Sequence, residues 1–161
     1  VSDQWIEIIV HHPVAYLAHR IDVFRQLVVP PIQERCLPVM VGVDGPPERA
    51  AQLNLAMEVE RSDQQLANYA TWFYYTPVYS HLAYIVLALA VLGITLLRRE
   101  PADYVVAALM TGVLAFTASF FVISLACDYR YLYLLDVAAM TGLFYLAVDP
   151  PFLNRLRRLW R

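Results

Sequence analysis

A run of 26 residues from Trp72 to Leu97 reads WFYYTPVYSHLAYIVLALAVLGITLL, and His81 is its only acidic or basic side chain. A helix needs about 20 mostly apolar residues to cross the roughly 30 Å of a bilayer's hydrocarbon. The run is therefore long enough to form one membrane span. Its first third is rich in aromatic rings, which is typical of the level of the lipid headgroups.

Two further apolar runs follow in the second half of the chain. Tyr104 to Cys127 holds no acidic residue, Arg or His, and Tyr131 to Val148 holds a single acid, Asp136. Hydrophobic residues make up 60% of the chain and charged residues 16%, against about 45–50% and 25% in soluble domains. We predict an all-α membrane protein with three transmembrane helices at 72–97, 104–127 and 131–148.

The arginines predict the orientation of these spans. Arg98 and Arg99 close the first run, and four of the thirteen residues in the tail 149–161 are Arg. Basic residues near span ends stay on the cytoplasmic side. We therefore expect the 98–103 loop and the basic tail in the cytoplasm, with residues 1–71 and the 128–130 turn outside. The twelve basic residues are all Arg, which suggests a GC-rich bacterial genome and hence a bacterial inner membrane.

Residues 1–71 are predicted to form a small, mostly helical extracytoplasmic region. Placing it outside requires a cleaved signal peptide or earlier spans. We expect the 161 residues to be the C-terminal piece of a longer polytopic protein, so that further transmembrane segments of the same or another chain are partners. A cleaved signal peptide is the alternative.

Helix signals recur within this outer region. Pro13 suits the first turn of a helix, and apolar residues at steps of three and four predict a stripe along it: Val14, Leu17, Ile21, Phe24 and Val28. Such a helix can lie along the membrane surface, pack on the outer ends of the spans, or pack in a core between neighbouring helices. Ser2 is a candidate helix cap before it.

The second half of the outer region carries weaker signals. We predict a short extended piece at Pro38–Val43 within a loop, and a helix that starts at Pro46 or Pro47 and continues through Leu55. Ser62 and Gln65 have the spacing of a capping box, which predicts a helix through Phe73. Pro77 then breaks or kinks this helix where it meets the membrane.

Several kinds of chemistry have no matching motif here. The sequence has no glycine-rich phosphate loop, no Cys-x-x-Cys and no His-Glu-x-x-His, and acidic residues outnumber basic ones. We therefore predict no cofactor, no metal site and no nucleic-acid surface. His11, His12 and His19 are read as solvated or hydrogen-bonded. Cys36 and Cys127 both fall on the oxidising side, so a disulfide is allowed.

Ionisable residues are predicted to gather at the outer membrane face. They are His81, Asp128, Arg130 and Asp136. An acid inside a span is costly, and it usually faces a partner or a wet cavity. Arg130 is the candidate for binding a lipid phosphate through its planar fork, with the other three residues in support. The alternatives are structural: Asp136 pairs with an Arg or Tyr of a neighbouring helix, and Asp128 neutralises Arg130.

These residues carry a resemblance to a known family. The run SLACDYRYLYLLD, residues 124–136, resembles the Arg-Tyr-Leu element that opens a late span in bacterial GT-C-type membrane glycosyltransferases. The segments HPVAYLAHR (12–20) and TPVYSH (76–81) are similar to the surface helix before the last spans and to the start of a span in that superfamily.

The resemblance implies a role beside a lipid-linked sugar and no catalytic residue. Members of that superfamily transfer a sugar from a polyprenyl-phosphate donor, and their catalytic acid lies in an early outer loop that has no counterpart here. Arg130 would match the late-span Arg near the lipid phosphate. Two alternatives stay open: a non-enzymatic subunit of a membrane complex, and a transport or proton-path segment that uses Asp136 and His81.

Overall fold

The computed structural model describes residues 2–29, 45–55, 59–124 and 128–148. Every regular element within these ranges is helical. The α-helices are α1 Ser2–His11, α2 Pro13–Val28, α3 Pro47–Gln52, α4 Arg61–Thr71, α5 His81–Arg98, α6 Asp103–Ile123 and α7 Tyr133–Ala147. Short 3₁₀ turns at Pro77–Tyr79 and Tyr129–Leu132 precede α5 and α7.

Two of these helices, α5 and α6, are long and apolar enough to cross a membrane. Only 22% of the residues in each apolar window are buried in the protein, whereas the core helix of a soluble protein would be mostly covered. Large apolar side chains such as Val86, Leu97 and Val105 point outward. These properties favour a membrane location.

The first predicted span begins later than the sequence suggested. The helix starts at His81, not at Trp72, and ends at Arg98. Tyr75 has a left-handed backbone with φ of 60°, and Pro77 opens a 3₁₀ turn in which the Thr76 hydroxyl accepts from the Val78 N–H. These two backbone features stop any helix from running through 72–80.

The second and third apolar runs also form helices. α6 begins at Asp103 and ends at Ile123, and residues 125–127 lie outside the described ranges. α7 has 15 residues, which is about 22 Å of helix. It is thus shorter than α5 and α6, whose lengths of 18 and 21 residues suit a span.

α5, α6 and α7 pack together as a three-helix bundle. Its core holds eight buried apolar side chains: Ala88, Val91, Met110, Val113, Leu135, Ala138, Ala139 and Leu146. The small residues of α7 let the helices approach closely. A Cβ built on Gly142 would lie 2.8 Å from Val91 Cγ1 and 3.3 Å from Met110 Cε, and such small-residue contacts are typical of membrane helices.

Two details of helices α3 and α4 differ from the predictions. α3 ends at Gln52, so Leu53 and Leu55 lie beyond it, and Asn54 is left-handed with φ of 50°. α4 is capped by a box formed by Glu60 and Asp63, not by Ser62 and Gln65, and it ends at Thr71. An Asp at the third helical position accepts the N–H of the cap residue as well as a Glu or Gln would, so Glu60 and Asp63 can form the box two residues earlier.

The predicted start of α2 at Pro13 is confirmed. Its predicted apolar stripe is packed only in its second half: Phe24 and Val28 contact the rest of the protein, whereas Val14, Leu17 and Ile21 are 79%, 49% and 56% exposed. The charged residue Arg20 and Leu27, which are outside the predicted stripe, are buried as well. The extended piece predicted at Pro38–Val43 lies outside the described residues, as does the basic tail.

Candidate functional site

The N-terminal ends of α5 and α7 meet at a buried histidine–aspartate pair. His81, the first residue of α5, is fully buried, and its Nδ1 lies 2.8 Å from Oδ1 of Asp136 in the first turn of α7. The Tyr129 hydroxyl donates to the other carboxylate oxygen, Oδ2, at 2.7 Å. Both oxygens of Asp136 are therefore occupied, and three elements of the chain meet at one carboxylate.

Tyr129 holds this cluster from the 3₁₀ turn before α7. Its ring stacks on the imidazole of His81, with 4.3 Å between the ring centroids. Burial, followed by the hydrogen bond to Asp136, raises the pKa of the Tyr129 hydroxyl above its ordinary value. The hydroxyl consequently keeps its proton and serves as a donor to Asp136.

The remaining nitrogen of His81 has no such partner. Its Nε2 is buried and makes no hydrogen bond within the described part of the chain. A buried donor or acceptor without a hydrogen-bond partner costs about 1–3 kcal/mol, so this pairing carries an internal cost.

A shallow groove lies on the protein surface beside this cluster. It has a volume of about 450 Å³ and runs along α7 past Tyr133, Val137 and Phe144, with Tyr129 and Asp136 at its polar end. The hydroxyl of Tyr84 donates to the carbonyl of Val78 at 3.0 Å at the same end. The groove is predominantly apolar, as expected of a surface that faces lipid.

Arg130 and Asp128 form a separate pair at the surface. Arg130 NH2 lies 2.6 Å from Asp128 Oδ2, its Nε lies 3.0 Å from Oδ1, and its side chain is 85% exposed. The side-chain hydrogen bond from Arg130 holds the pKa of Asp128 below its ordinary value. Asp128 thus neutralises Arg130, as in the structural alternative to phosphate binding. A phosphate would have to compete with Asp128 for the guanidinium.

The opposite end of the bundle carries a second buried carboxylate. Asp103, at the start of α6, is 1% exposed, and its Oδ1 accepts from the Tyr145 hydroxyl at 2.8 Å. Its Oδ2 lies 3.2 Å from Arg98 Nε and accepts from the backbone N–H of Glu100 at 3.1 Å. The sequence predicted the loop charges but not this cluster, because Tyr145 is 42 residues from Asp103.

A third polar contact was also missed by reasoning from sequence. Arg20 of α2 is 5% exposed and donates from Nε to the carbonyl of Phe121 at 2.7 Å. Its NH1 donates to the carbonyl of Ser124 at 2.8 Å, and NH2 reaches the Phe120 carbonyl at 3.4 Å. The last carbonyls of a helix have no partner within it, so Arg20 caps the C-terminus of α6 from a different helix.

The structure thus unites two of the four predicted site residues, His81 and Asp136, and pairs the other two with each other. Among the described residues, no group of His, Cys, Asp and Glu is arranged to hold a metal ion. Cys36 and Cys127 lie outside the described residues, so the structure says nothing of a disulfide between them.

No protein-family model matches the chain, and neither a curated protein nor a solved structure is similar to it. The resemblance to GT-C-type glycosyltransferases therefore stays a prediction.

Proposed function

We propose that this chain is a non-catalytic, three-span helical unit of a larger membrane protein or complex. One observation carries the proposal: both oxygens of each buried carboxylate in the three-helix bundle are bound by groups near the helix ends. Asp136 binds His81 and Tyr129, and Asp103 binds Tyr145 and Arg98. Groups used in this way fix how helices pack, and they offer no free carboxylate to a substrate.

The same contacts support α7 as the third span. His81 and Asp136 join the first residue of α5 to the first turn of α7, whereas Arg98 and Tyr145 meet Asp103 at the other end. α7 therefore runs parallel to α5 and beside it. Tyr131 and Leu132 of the 3₁₀ turn add about 4 Å to the 22 Å of α7, which gives nearly the 27 Å length of α5.

Labelling of single cysteines in intact bacterial cells tests the spans and their direction. Cys36 and Cys127 are first replaced by Ser, and one cysteine is introduced at Gln64, Ala102 or Trp160. Three spans in the proposed orientation make position 64 reactive to a membrane-impermeant maleimide, and make positions 102 and 160 reactive only after lysis. Reaction at 160 in intact cells would show that α7 does not cross, and a protein recovered from the soluble fraction would overturn the proposal.

A second candidate function is binding of a polyprenyl-phosphate-linked sugar at the outer face, as in a relative of the lipid-linked glycosyltransferases. The observation that favours it is the exposed guanidinium of Arg130, which sits directly before the apolar helix α7. A phosphate at this level would receive a planar, bidentate donor. In this role the chain supplies lipid binding, and the catalytic acid comes from elsewhere.

The Arg130–Asp128 pair gives a test with two opposite outcomes. Binding of a polyprenyl phosphate to the protein in lipid nanodiscs is measured for Arg130→Ala and for Asp128→Asn. Arg130→Ala should weaken binding, and Asp128→Asn should strengthen it because the competing carboxylate is removed. Arg99→Ala is the control for loss of a positive charge at the opposite end of the bundle. Equal binding by all variants would remove Arg130 from any lipid-phosphate site.

A further inference from the structure

α2 is fastened to the outer end of α6 by a contact that only an arginine can make. The guanidinium of Arg20 donates to carbonyls of Phe121 and Ser124, at 2.7 and 2.8 Å. A lysine has neither the fork nor the reach to serve diverging carbonyls together. The anchor places α2 at the level where α6 ends.

Apolar contacts continue the attachment along the same face of α2. The rings of Phe24 and Phe121 meet edge to face, with 5.8 Å between their centroids. About two turns after Arg20, the buried side chains of Leu27 and Val28 pack with Leu132 at the start of the third apolar run. The C-terminal half of α2 therefore lies across the outer ends of the bundle.

An exposed apolar strip flanks this packed face. It consists of Val14, Leu17 and Ile21, at steps of three and four residues, which places them on one side of the helix. α1 also carries exposed apolar residues, Ile6, Ile8 and Val10, which are 54%, 52% and 65% exposed, but their spacing of two residues distributes them around the helix. Within the described residues, no part of the protein covers the strip on α2.

The helix that carries the strip is held against an exposed apolar part of α6. Val122 and Ile123, which lie between the two carbonyls that Arg20 binds, are 58% and 59% exposed. The other side of α2 carries the exposed polar residues His19, Asp22 and Gln26, whereas Arg25 lies one turn after Ile21, at the C-terminal end of the strip. An apolar strip at the end of a span, with polar residues on the opposite side, is the arrangement of a helix that lies in a membrane interface.

We propose that the apolar strip of α2 is inserted in the headgroup–acyl boundary of the same bilayer that the spans cross, with Arg20 as its anchor to α6. This inference rests on the proposed membrane-spanning role. The occupant of the strip is lipid, because Arg20 holds the helix that carries the strip against the exposed apolar end of α6. Apart from Arg20, acids outnumber basic residues on α1 and α2, with Asp3, Glu7 and Asp22 against Arg25. Apolar burial therefore drives the contact, and zwitterionic lipid is sufficient.

Spin labels on the full chain test this placement. In the variant with Cys36 and Cys127 replaced by Ser, a label is attached at Leu17→Cys, at the matched polar position Asp22→Cys, or at the span position Val86→Cys. The protein is reconstituted in phosphatidylcholine vesicles. Collision rates are then measured with oxygen, which concentrates in lipid, and with a nickel chelate, which stays in water.

The expected result is a ratio of oxygen to nickel collisions several-fold higher at position 17 than at position 22, without any anionic lipid. Equal ratios at 17 and 22 would overturn the proposal, since the strip would then face water. Low collision rates with both reagents at 17 would also overturn it, because protein would cover the strip. Position 86 separates the two proposals: a low ratio there rejects the membrane span itself, whereas a high ratio at 86 with a low one at 17 rejects only the interfacial helix.

Discussion

His81 and Asp136 lie 55 residues apart in the chain, and their side chains meet at 2.8 Å between Nδ1 and Oδ1. The contact sets the first turn of α7 beside the first residue of α5. His81 is fully buried and Asp136 is 6% exposed, so either residue would be poorly solvated without the other. The pair is therefore a polar constraint on how the N-terminal ends of α5 and α7 pack.

Breaking this pair from one side should destabilise the bundle more than replacing both residues. His81→Leu leaves Asp136 buried with the Tyr129 hydroxyl alone, and loss of one partner of a buried pair costs about 3–5 kcal/mol. The double variant His81→Leu/Asp136→Leu should cost less than the sum of the single variants. Unfolding by SDS in mixed micelles measures these free energies. His19→Leu, at an exposed histidine, is the control, and strictly additive losses would contradict a coupled pair.

Arg20→Met should detach α2 from the end of α6. The substitution keeps an unbranched stem but removes the guanidinium and its three donor nitrogens, so the carbonyls of Phe121 and Ser124 lose their hydrogen bonds to Arg20. Hydrogen bonds to charged groups contribute about 1.5–3 kcal/mol, so we expect a loss of about 2 kcal/mol or more. Arg25→Met, on the exposed side of α2, should change little. Hydrogen exchange of the α2 amides gives a second readout, and unaltered protection would contradict the anchoring role.

Gly142 should not tolerate a methyl group as other glycines of the bundle do. Gly142→Ala brings a carbon to 2.8 Å from Val91 Cγ1, whereas a Cβ on Gly112 would meet nothing within 4 Å. Overpacking a core costs about 1–3 kcal/mol. We expect Gly142→Ala to be less stable than Gly112→Ala by about 1–2 kcal/mol in the same SDS titration. Both changes have the same effect on helix propensity. Equal stabilities would therefore show that the contact between α5 and α7 has room for a methyl group at position 142.

Tyr145→Phe should weaken the cluster around Asp103 without disturbing the cluster around Asp136. It removes the hydroxyl that donates to Asp103 Oδ1, and a single hydrogen bond is worth about 1 kcal/mol. Tyr104→Phe changes a tyrosine that is 58% exposed and should be neutral. A loss of stability that appears equally in both variants would point to a general effect of removing a hydroxyl.

The Asp128–Arg130 pair should appear in the titration of Asp128. Since the hydrogen bond from Arg130 lowers the pKa of this carboxyl, Arg130→Gln should raise that pKa toward its ordinary value. The pair stabilises the fold above the unfolded-state pKa of Asp128, and this contribution disappears as the pH falls through the lower folded-state pKa. Carbon NMR of labelled aspartate in micelles measures the titration. Arg25→Gln should leave it unchanged, and an unmoved pKa in Arg130→Gln would mean that the pair does not form.

Local sequence determined the helices of this protein and where several of them begin. Apolar runs long enough for a span predicted α5 and α6, since a helix pairs all its backbone N–H and C=O groups internally when no water is present. Pro13 set the start of α2 because its missing N–H costs nothing in a first turn. The apolar pattern also predicts a helix over the aromatic stretch before His81, and this prediction is wrong. The left-handed backbone of Tyr75 and the 3₁₀ turn at Pro77 interrupt the helix there.

Only the tertiary structure decided what the buried polar groups do. The sequence singled out His81 and Asp136 as costly in a membrane, but not that each is the other's partner, because the pairing depends on α5 and α7 starting at the same end. Nothing in the local sequence of α2 indicates that Arg20 is buried, because its burial depends on the carbonyls exposed where α6 stops. Helices in this chain follow from neighbours in sequence, whereas buried charges are placed by whichever distant backbone or side chain can satisfy them.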